Sequence, residues 1–199
     1  MASESSQTRR ALLDRLERMG NPVGPLALER LPDASWFVQR NMLALLRAIP
    51  ERPPQFDARP FAAHADARVR REALRLLFTI PTARDHAICQ ALADPDSKNA
   101  QLGLNAAHDG CPEPAVPLVA SLAARGDSVD QRVAAIRALG AAPSPAAVTA
   151  LLAIVTPRKS GFWRKKPTVS PEYRAAVTAL KARASDPQAR AALERLGEG

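Results

Sequence analysis

One apolar pattern recurs along this chain at an interval of about 31 residues. In residues 61–81 the apolar positions have the spacing of one side of an α-helix. They are Val69, Ala73, Leu76, Leu77 and Ile80. The same spacing occurs 31 residues earlier, at Val38, Met42, Leu45, Leu46 and Ile49. A lone helix cannot bury such a stripe, so the repetition predicts helices that stack on copies of themselves.

Further copies follow toward the carboxyl end. The segment VRREALRLL at 69–77 aligns with QRVAAIRAL at 131–139, which is 62 residues or two intervals later. AAIRAL at 134–139 aligns with AAVTAL at 175–180, where ten extra residues have been inserted. The third copy, at 94–107, is degenerate because Asn99 stands where the second copy has Val69. The copies therefore predict one repeated unit with a local insertion.

The repeat predicts an all-α fold, a right-handed α–α superhelical solenoid of about five helical hairpins. A capping helix with a flexible start is expected in residues 1–20, followed by the repeat domain over 21–199. The hairpins are expected at about 23–50, 55–81, 83–108, 113–140 and 146–183, with a terminal cap at 186–199. The first helix of the second hairpin is expected at 55–63, and Ser170 before Pro171 predicts a helix N-cap.

Composition agrees with short helices in a soluble, cytoplasmic protein. Only 4% of the residues are aromatic, and 18 prolines suit many short helices better than a few long ones. Two cysteines do not form a disulfide framework. We expect no membrane association, because the sequence has neither an apolar signal segment nor a run long enough to span a bilayer.

Basic charge is concentrated in one place. The chain carries a net charge of +8, and five of its cations lie within residues 158–166. The other residues therefore carry a net charge of only +3, so the chain as a whole does not present a strongly basic surface.

The pattern D-x-x-V-R-x-x-A-L-x-x-L at residues 66–77 resembles bacterial HEAT repeats of the short, PBS-lyase-like type. Residues 33–41 are similar to a first-repeat variant, and the resemblance extends over roughly 21–196. It implies that the second helix of each hairpin lines a concave, partner-binding face. It also implies a ladder of ion pairs between a turn aspartate and the arginine after the valine, such as Asp66 with Arg70. Most members of this family are interaction scaffolds and a few are enzymes.

Residues 157–168, PRKSGFWRKKPT, form a basic-aromatic insertion in the fifth hairpin. Its candidate partner-binding residues are Phe162, Trp163, Arg164, Lys165 and Lys166. Cations could bind phosphates or an acidic partner, and the aromatic rings could stack or plug a pocket. Alternatively, the two aromatic side chains fold back over the end of the array and the charges keep the loop solvated.

A second candidate is a repeated His-x-x-Cys spacing, at His86 and Cys89 and again at His108 and Cys111. These residue types could form a tetrahedral zinc site if the hairpin brought them together. The competing interpretation is a small core cysteine, a turn cysteine and two solvent-facing histidines. We favour the second interpretation and predict no cofactor.

Arginines of the second helices form a third candidate. Trp36 and Arg40 are one helical turn apart and could form a cation–π pair that faces a ligand, although a structural role is more common. Arg71 is a further candidate for partner contact. The row of arginines at 40, 70, 71, 132 and 174 could meet an acidic partner, or each could pair with a nearby turn aspartate.

No catalytic constellation is evident in the sequence. It has no Gly-rich phosphate loop, no H-E-x-x-H motif and no supported nucleophile–base set. It lacks any His-Glu dipeptide, in contrast to HEAT-type di-iron hydroxylases, and Trp36 and Trp163 lie at opposite ends of the chain, which does not suit a glycosylase pocket. The sequence therefore predicts a non-enzymatic scaffold that binds a protein partner on its concave face, on the basic-aromatic insertion or on both, and an acidic protein is one candidate. The alternatives are a nucleic-acid-binding, DNA glycosylase-like protein and a lyase-type enzyme.

Overall fold

The structure, a computed structural model, describes residues 11, 14–156 and 170–198. All regular secondary structure in these residues is helical, which confirms the prediction of an all-α fold for this part of the chain. None of the helices found there is both long enough and apolar enough to cross a bilayer. The chain divides into two compact units, Met1–Ala87 and Ile88–Gly199.

The first unit begins with helical residues 14–19. Its further helices are α1 (Val23–Arg30), α2 (Trp36–Ala48), a 3-10 helix (Arg59–Ala63), α3 (Ala67–Leu77) and the start of α4 (Pro81–Leu92), which continues into the second unit. Helix α2 packs against both α1 and α3, and the 3-10 helix packs on α3. Val69, Ala73 and Leu76 are fully buried, as the apolar stripe predicts. The stripe thus contributes to the core of the unit, although Val38, Met42 and Ile80 are only half-buried.

The helix expected over 55–63 is reduced to the 3-10 helix Arg59–Ala63. Two adjacent prolines, Pro53 and Pro54, precede it and supply no backbone N–H for a helix. The backbone N–H of Arg59 donates to Oδ1 of Asp57 at 3.0 Å, which forms an Asx turn instead of a helical turn. The two prolines and the Asp57 side chain therefore prevent the α-helix that the apolar spacing predicts.

The second unit contains α5 (Ser97–His108), a 3-10 helix (Glu113–Ala115), α6 (Val116–Arg125), α7 (Val129–Gly140), α8 (Pro145–Val155), α9 (Pro171–Lys181) and α10 (Pro187–Leu196). Helix α7 packs against α5 on one side and α9 on the other. Helix α8 likewise packs against α6 and α10, and the pairs α6–α7 and α8–α9 are also in contact. We call α5, α7 and α9 the second-helix row.

Short polar side chains fix where these helices begin. The N-cap side chains of Asp66, Asp96, Ser128, Ser144, Ser170 and Asp186 each accept a backbone N–H from the first turn. This satisfies donors that have no partner inside the helix. The N-cap predicted at Ser170 is confirmed, with Pro171 at the first helical position.

The degenerate third copy keeps its place in the core. Asn99, which replaces the valine of the second copy, is fully buried. Its Nδ2 donates to Oδ2 of Asp94 at 3.0 Å, so the amide is not left without a partner. The polar replacement is tolerated because the turn supplies a carboxylate beside it.

Gly103 allows a close approach between α5 and the end of α4. A Cβ atom at position 103 would lie 2.9 Å from Cβ of Ala91 and 2.9 Å from the backbone nitrogen of Leu92. Such distances are shorter than van der Waals contact, and a backbone atom cannot rotate away. This position therefore requires glycine within a helix.

We predict that Gly103→Ala destabilises the protein by about 1–2 kcal/mol, measured by urea unfolding. Overpacking outweighs the gain in helix propensity, which on its own would favour alanine by about 1 kcal/mol. Asn105→Ala, at an exposed position of the same helix, is the control and should change stability by about 0.5 kcal/mol or less. A Gly103→Ala protein at least as stable as the unsubstituted chain would contradict this packing.

Candidate functional site

A cleft of about 550 Å³ opens on the second-helix row. We call it the α7–α9 cleft. Arg137 of α7, Arg174 of α9 and His108 at the end of α5 line it. These three side chains belong to exposed residues, and each can donate a hydrogen bond. The cleft thus carries donors from all three helices of the row.

The apolar part of the cleft consists of small residues. Gly140, Ala175 and Ala179 line it together with Val133. A Cβ atom at Gly140 would lie 3.0 Å from Cβ of Ala179, so α7 and α9 approach closely there. These small side chains form a shallow apolar floor beside the arginines.

None of the described residues that line the cleft carries a carboxylate. In the part of the chain that the structure describes, no acidic side chain forms an ion pair with Arg137 or Arg174. The cleft is therefore positively charged, and its charge is not neutralised by the residues described.

Arg132, one of the arginines that the sequence placed in a partner-binding row, has a different role. Its Nε and Nη2 donate to Oε1 of Glu172 at 3.0 and 2.9 Å, and its Nη1 donates to the carbonyl of Gly126 at 2.8 Å. These bonds join the start of α7 to the start of α9. The guanidinium of Arg132 is thus committed to packing.

Glu172 responds to this environment. Its pKa is lowered by a hydrogen bond from its own backbone N–H, by the side chain of Arg132 and by Ser170. The first turn of a helix also favours a charged carboxylate, because the helix dipole is positive at that end. The carboxylate of Glu172 therefore stabilises the fold in its ionised form.

The arginine after the apolar repeat position holds the preceding turn. Arg70 donates through Nη1 to the carbonyl of His64 at 2.9 Å, six residues back. Arg132 and Arg190 bind the carbonyls of Gly126 and Ala184 across the same interval of six residues. We call this contact the turn staple. It satisfies a carbonyl at the end of the turn that has no helical partner.

Two expectations about ion pairs need correction. Asp66 pairs with Arg68, whose Nη2 lies 2.7 Å from Oδ2, and not with Arg70 as the family resemblance implied. Arg132 binds Gly126 and Glu172 where a turn aspartate was expected. As the N-cap, Asp66 lies beside the first turn of its own helix, so Arg68 is the arginine within reach. The Arg68 side chain holds the pKa of Asp66 well below its usual range.

Trp36 is also paired differently from the expectation. Cζ of Arg68 lies 3.6 Å from the centroid of the indole ring, and Phe37 contacts the ring edge-on. Arg40, the expected partner, instead donates to Oδ1 of Asn41 at 2.8 Å. The half-buried Trp36 therefore links α2 to α3 through a cation–π contact, because Asp66 already holds Arg68 in place.

The remaining candidates are less informative. Arg71 is half-buried on α3. The insertion residues Phe162, Trp163, Arg164, Lys165 and Lys166 lie outside the described residues, so their role stays a prediction.

The two His-x-x-Cys spacings lie in different surroundings. Cys111 is buried and its Sγ donates to the carbonyl of Pro112 at 3.7 Å, while Cys89 is half-buried. His108 belongs to the α7–α9 cleft, and His86 lines another cleft in the first unit. Within the described ranges, no group of three or more His, Cys, Asp or Glu side chains is arranged to hold a metal ion.

The cleft of the first unit is larger, at about 780 Å³. Its two charged side chains neutralise each other, since Nε of Arg59 lies 2.9 Å from Oδ1 of Asp57. Because these two charges form an ion pair with each other, this cleft should attract a charged partner less strongly than the α7–α9 cleft does.

Sequence reasoning did not identify Arg137, although a signal was present. Arg137 aligns with Arg75 of the second copy, 62 residues earlier. Nη1 of Arg75 lies 2.7 Å from Oε1 of Glu72, but the position aligned with Glu72 is Ala134. The alignment itself thus shows an arginine without a carboxylate at the corresponding position of its own helix.

We predict that Glu172→Gln lowers stability by about 1 kcal/mol at pH 7, seen as a lower melting temperature. The folded-state pKa of Glu172 is depressed, so its contribution is complete above the ordinary value of 4.5 and is lost as pH falls through the folded-state pKa. The difference in melting temperature should therefore narrow as the pH falls below 4.5 and close once the pH is below the folded-state pKa. Glu194→Gln, at an exposed position of α10, is the control and should show no such trend. A difference that stays constant with pH would contradict the ion pair.

Comparison with known proteins adds no relative: no protein-family model matches the chain, and no curated protein matches it.

Proposed function

We propose that this protein is a HEAT-type helical-repeat scaffold, a right-handed α–α solenoid that binds a protein partner on its second-helix row. The observation that carries this proposal is the α7–α9 cleft, which opens on that row and carries unneutralised charge. Support for the repeat architecture comes from the packing of α7 between α5 and α9, and from the matching order of α6, α8 and α10.

The chemistry of the cleft suits recognition. Among the described residues, its polar side chains are two guanidiniums, one imidazole and the hydroxyl of Thr178. That hydroxyl already donates to the carbonyl of Arg174 at 2.9 Å. A few donors around an apolar floor can orient a bound segment. We therefore propose binding without catalysis.

Rigidity of the row would favour such binding. Helices α7 and α9 are fixed to each other by the Arg132–Glu172 ion pair and by close packing at Gly140. A preformed surface loses little conformational entropy when a partner binds, so a modest number of contacts suffices.

The nucleic-acid alternative depends on the basic cluster at 158–166, which lies outside the described residues. It stays a prediction of the sequence. Treatment of the samples with nuclease in the experiment below would separate the two functions.

Site-specific photo-crosslinking tests the proposal. We predict that a photoreactive amino acid at position 178, in the cleft, crosslinks to a protein in extracts of the source organism. Position 149 on α8 is the matched control, because both positions hold an exposed threonine whose hydroxyl donates to a carbonyl one turn back. The crosslink should survive nuclease and be absent from position 149.

Equal crosslinking from both positions would show that the second-helix row is not the binding face. Adducts from position 178 that disappear with nuclease would instead support nucleic-acid binding.

A further inference from the structure

We propose that the α7–α9 cleft binds an acidic protein segment, with Arg137 and Arg174 as the anchors for its carboxylates. This inference rests on the proposed function, because it specifies the chemistry of the partner that the second-helix row would bind.

The comparison of α3 with α7 shows why Arg137 is available. In α3, Glu72 lies between two arginines, with Oε1 2.7 Å from Arg75 and Oε2 3.8 Å from Arg47. In α7 the aligned position is Ala134, which offers no carboxylate to Arg137. Arg137 is exposed, and it has no ion-pair partner among the described residues.

Arg174 contributes the second charge, from α9. It is exposed and lines the cleft, whereas Arg132, at the corresponding position four residues after its N-cap, is held by Glu172. Guanidinium groups bind carboxylates with two parallel hydrogen bonds, which gives geometric selectivity as well as attraction. Two such groups from adjacent helices therefore favour a segment with more than one acidic side chain.

The floor of the cleft favours a protein segment over a nucleic acid. Proteins that bind single strands stack bases on aromatic side chains. Among the described residues that line this cleft, the imidazole of His108 is the only aromatic ring. Gly140, Ala175 and Ala179 instead present a small-residue surface on which the apolar side of a peptide can pack. A volume of about 550 Å³ lies within the range of sites that hold a few side chains.

Selection from a random peptide display library tests this inference on the full-length protein. We expect the selected peptides to be enriched in Asp and Glu relative to the unselected library. The enrichment should be lost when selection is repeated on Arg137→Gln/Arg174→Gln. It should persist on the control Arg125→Gln/Arg195→Gln, which removes the same charge from exposed positions outside the cleft.

Fluorescence anisotropy with the best selected peptide then measures the contribution of each charge. The double variant should bind about tenfold more weakly, since each exposed ion pair contributes a factor of about two to five. A counterpart peptide with Asn and Gln in place of its acidic residues should weaken binding to a similar extent. Arg137→Lys/Arg174→Lys should keep most of the affinity because it keeps the charge.

Ala134→Glu provides a test that removes no arginine. It reproduces the arrangement of α3, so that Arg137 gains a carboxylate three residues earlier on its own helix. We expect the peptide to bind about two- to fivefold more weakly to this variant and unchanged to Ala134→Gln. Melting curves of all variants show whether each is folded, and the Ala134 pair keeps the test decisive if the double variant is not.

Three results would overturn the inference: selected peptides without acidic enrichment, equal enrichment on the double variant, or unchanged binding to Ala134→Glu. Tighter binding of a labelled single-stranded oligonucleotide than of any peptide, abolished in the double variant, would also overturn it. These results would leave the proposed function standing if position 178 still crosslinks to a protein, so the two failures are distinguishable.

Discussion

Burial of one apolar stripe per helix is the constraint on which this structure depends. A single helix cannot shield its own apolar stripe from water, and a short helix is only marginally stable alone. Each helix is therefore stabilised by packing its stripe against a neighbouring helix. Val69 in the first unit and Leu139 in the second, which aligns with Leu77, are both completely buried by this means. Because hydrophobic burial has no directional preference, other interactions must decide how the helices are spaced.

Turn chemistry supplies that spacing. The N-cap side chains of Asp66, Ser128 and Asp186 determine where a helix begins, and the turn staple of the arginine four residues later fixes the chain that leads into it. Both contacts satisfy backbone groups that would otherwise lack a partner, so they specify geometry more than they add stability. The arginines that appear at regular intervals in the sequence are thus partly structural, which the sequence alone could not show.

The helices could be predicted from the sequence because their signals are local. Apolar spacing, Ser170 followed by Pro171, and turn aspartates all act within a few residues. The segment at 55–63 was predicted wrongly because an apolar pattern was given more weight than Pro53 and Pro54. The site was less predictable, because whether Arg68 or Arg40 meets Trp36 depends on packing between α2 and α3. His108 and Arg174 line the same cleft because α5, α7 and α9 pack together, and no spacing in the sequence predicts this.

The aligned helices α3 and α7 differ in whether a cation is neutralised within its own helix, because the position of Glu72 in α3 is occupied by Ala134 in α7. One acidic side chain is therefore enough to decide whether such a helix carries a neutral or a positive surface. Substitution to alanine is easily accepted at a helical surface position, because alanine has the highest helix propensity. A single substitution at this position can therefore change the charge of the helix surface while the buried side of the helix is left intact.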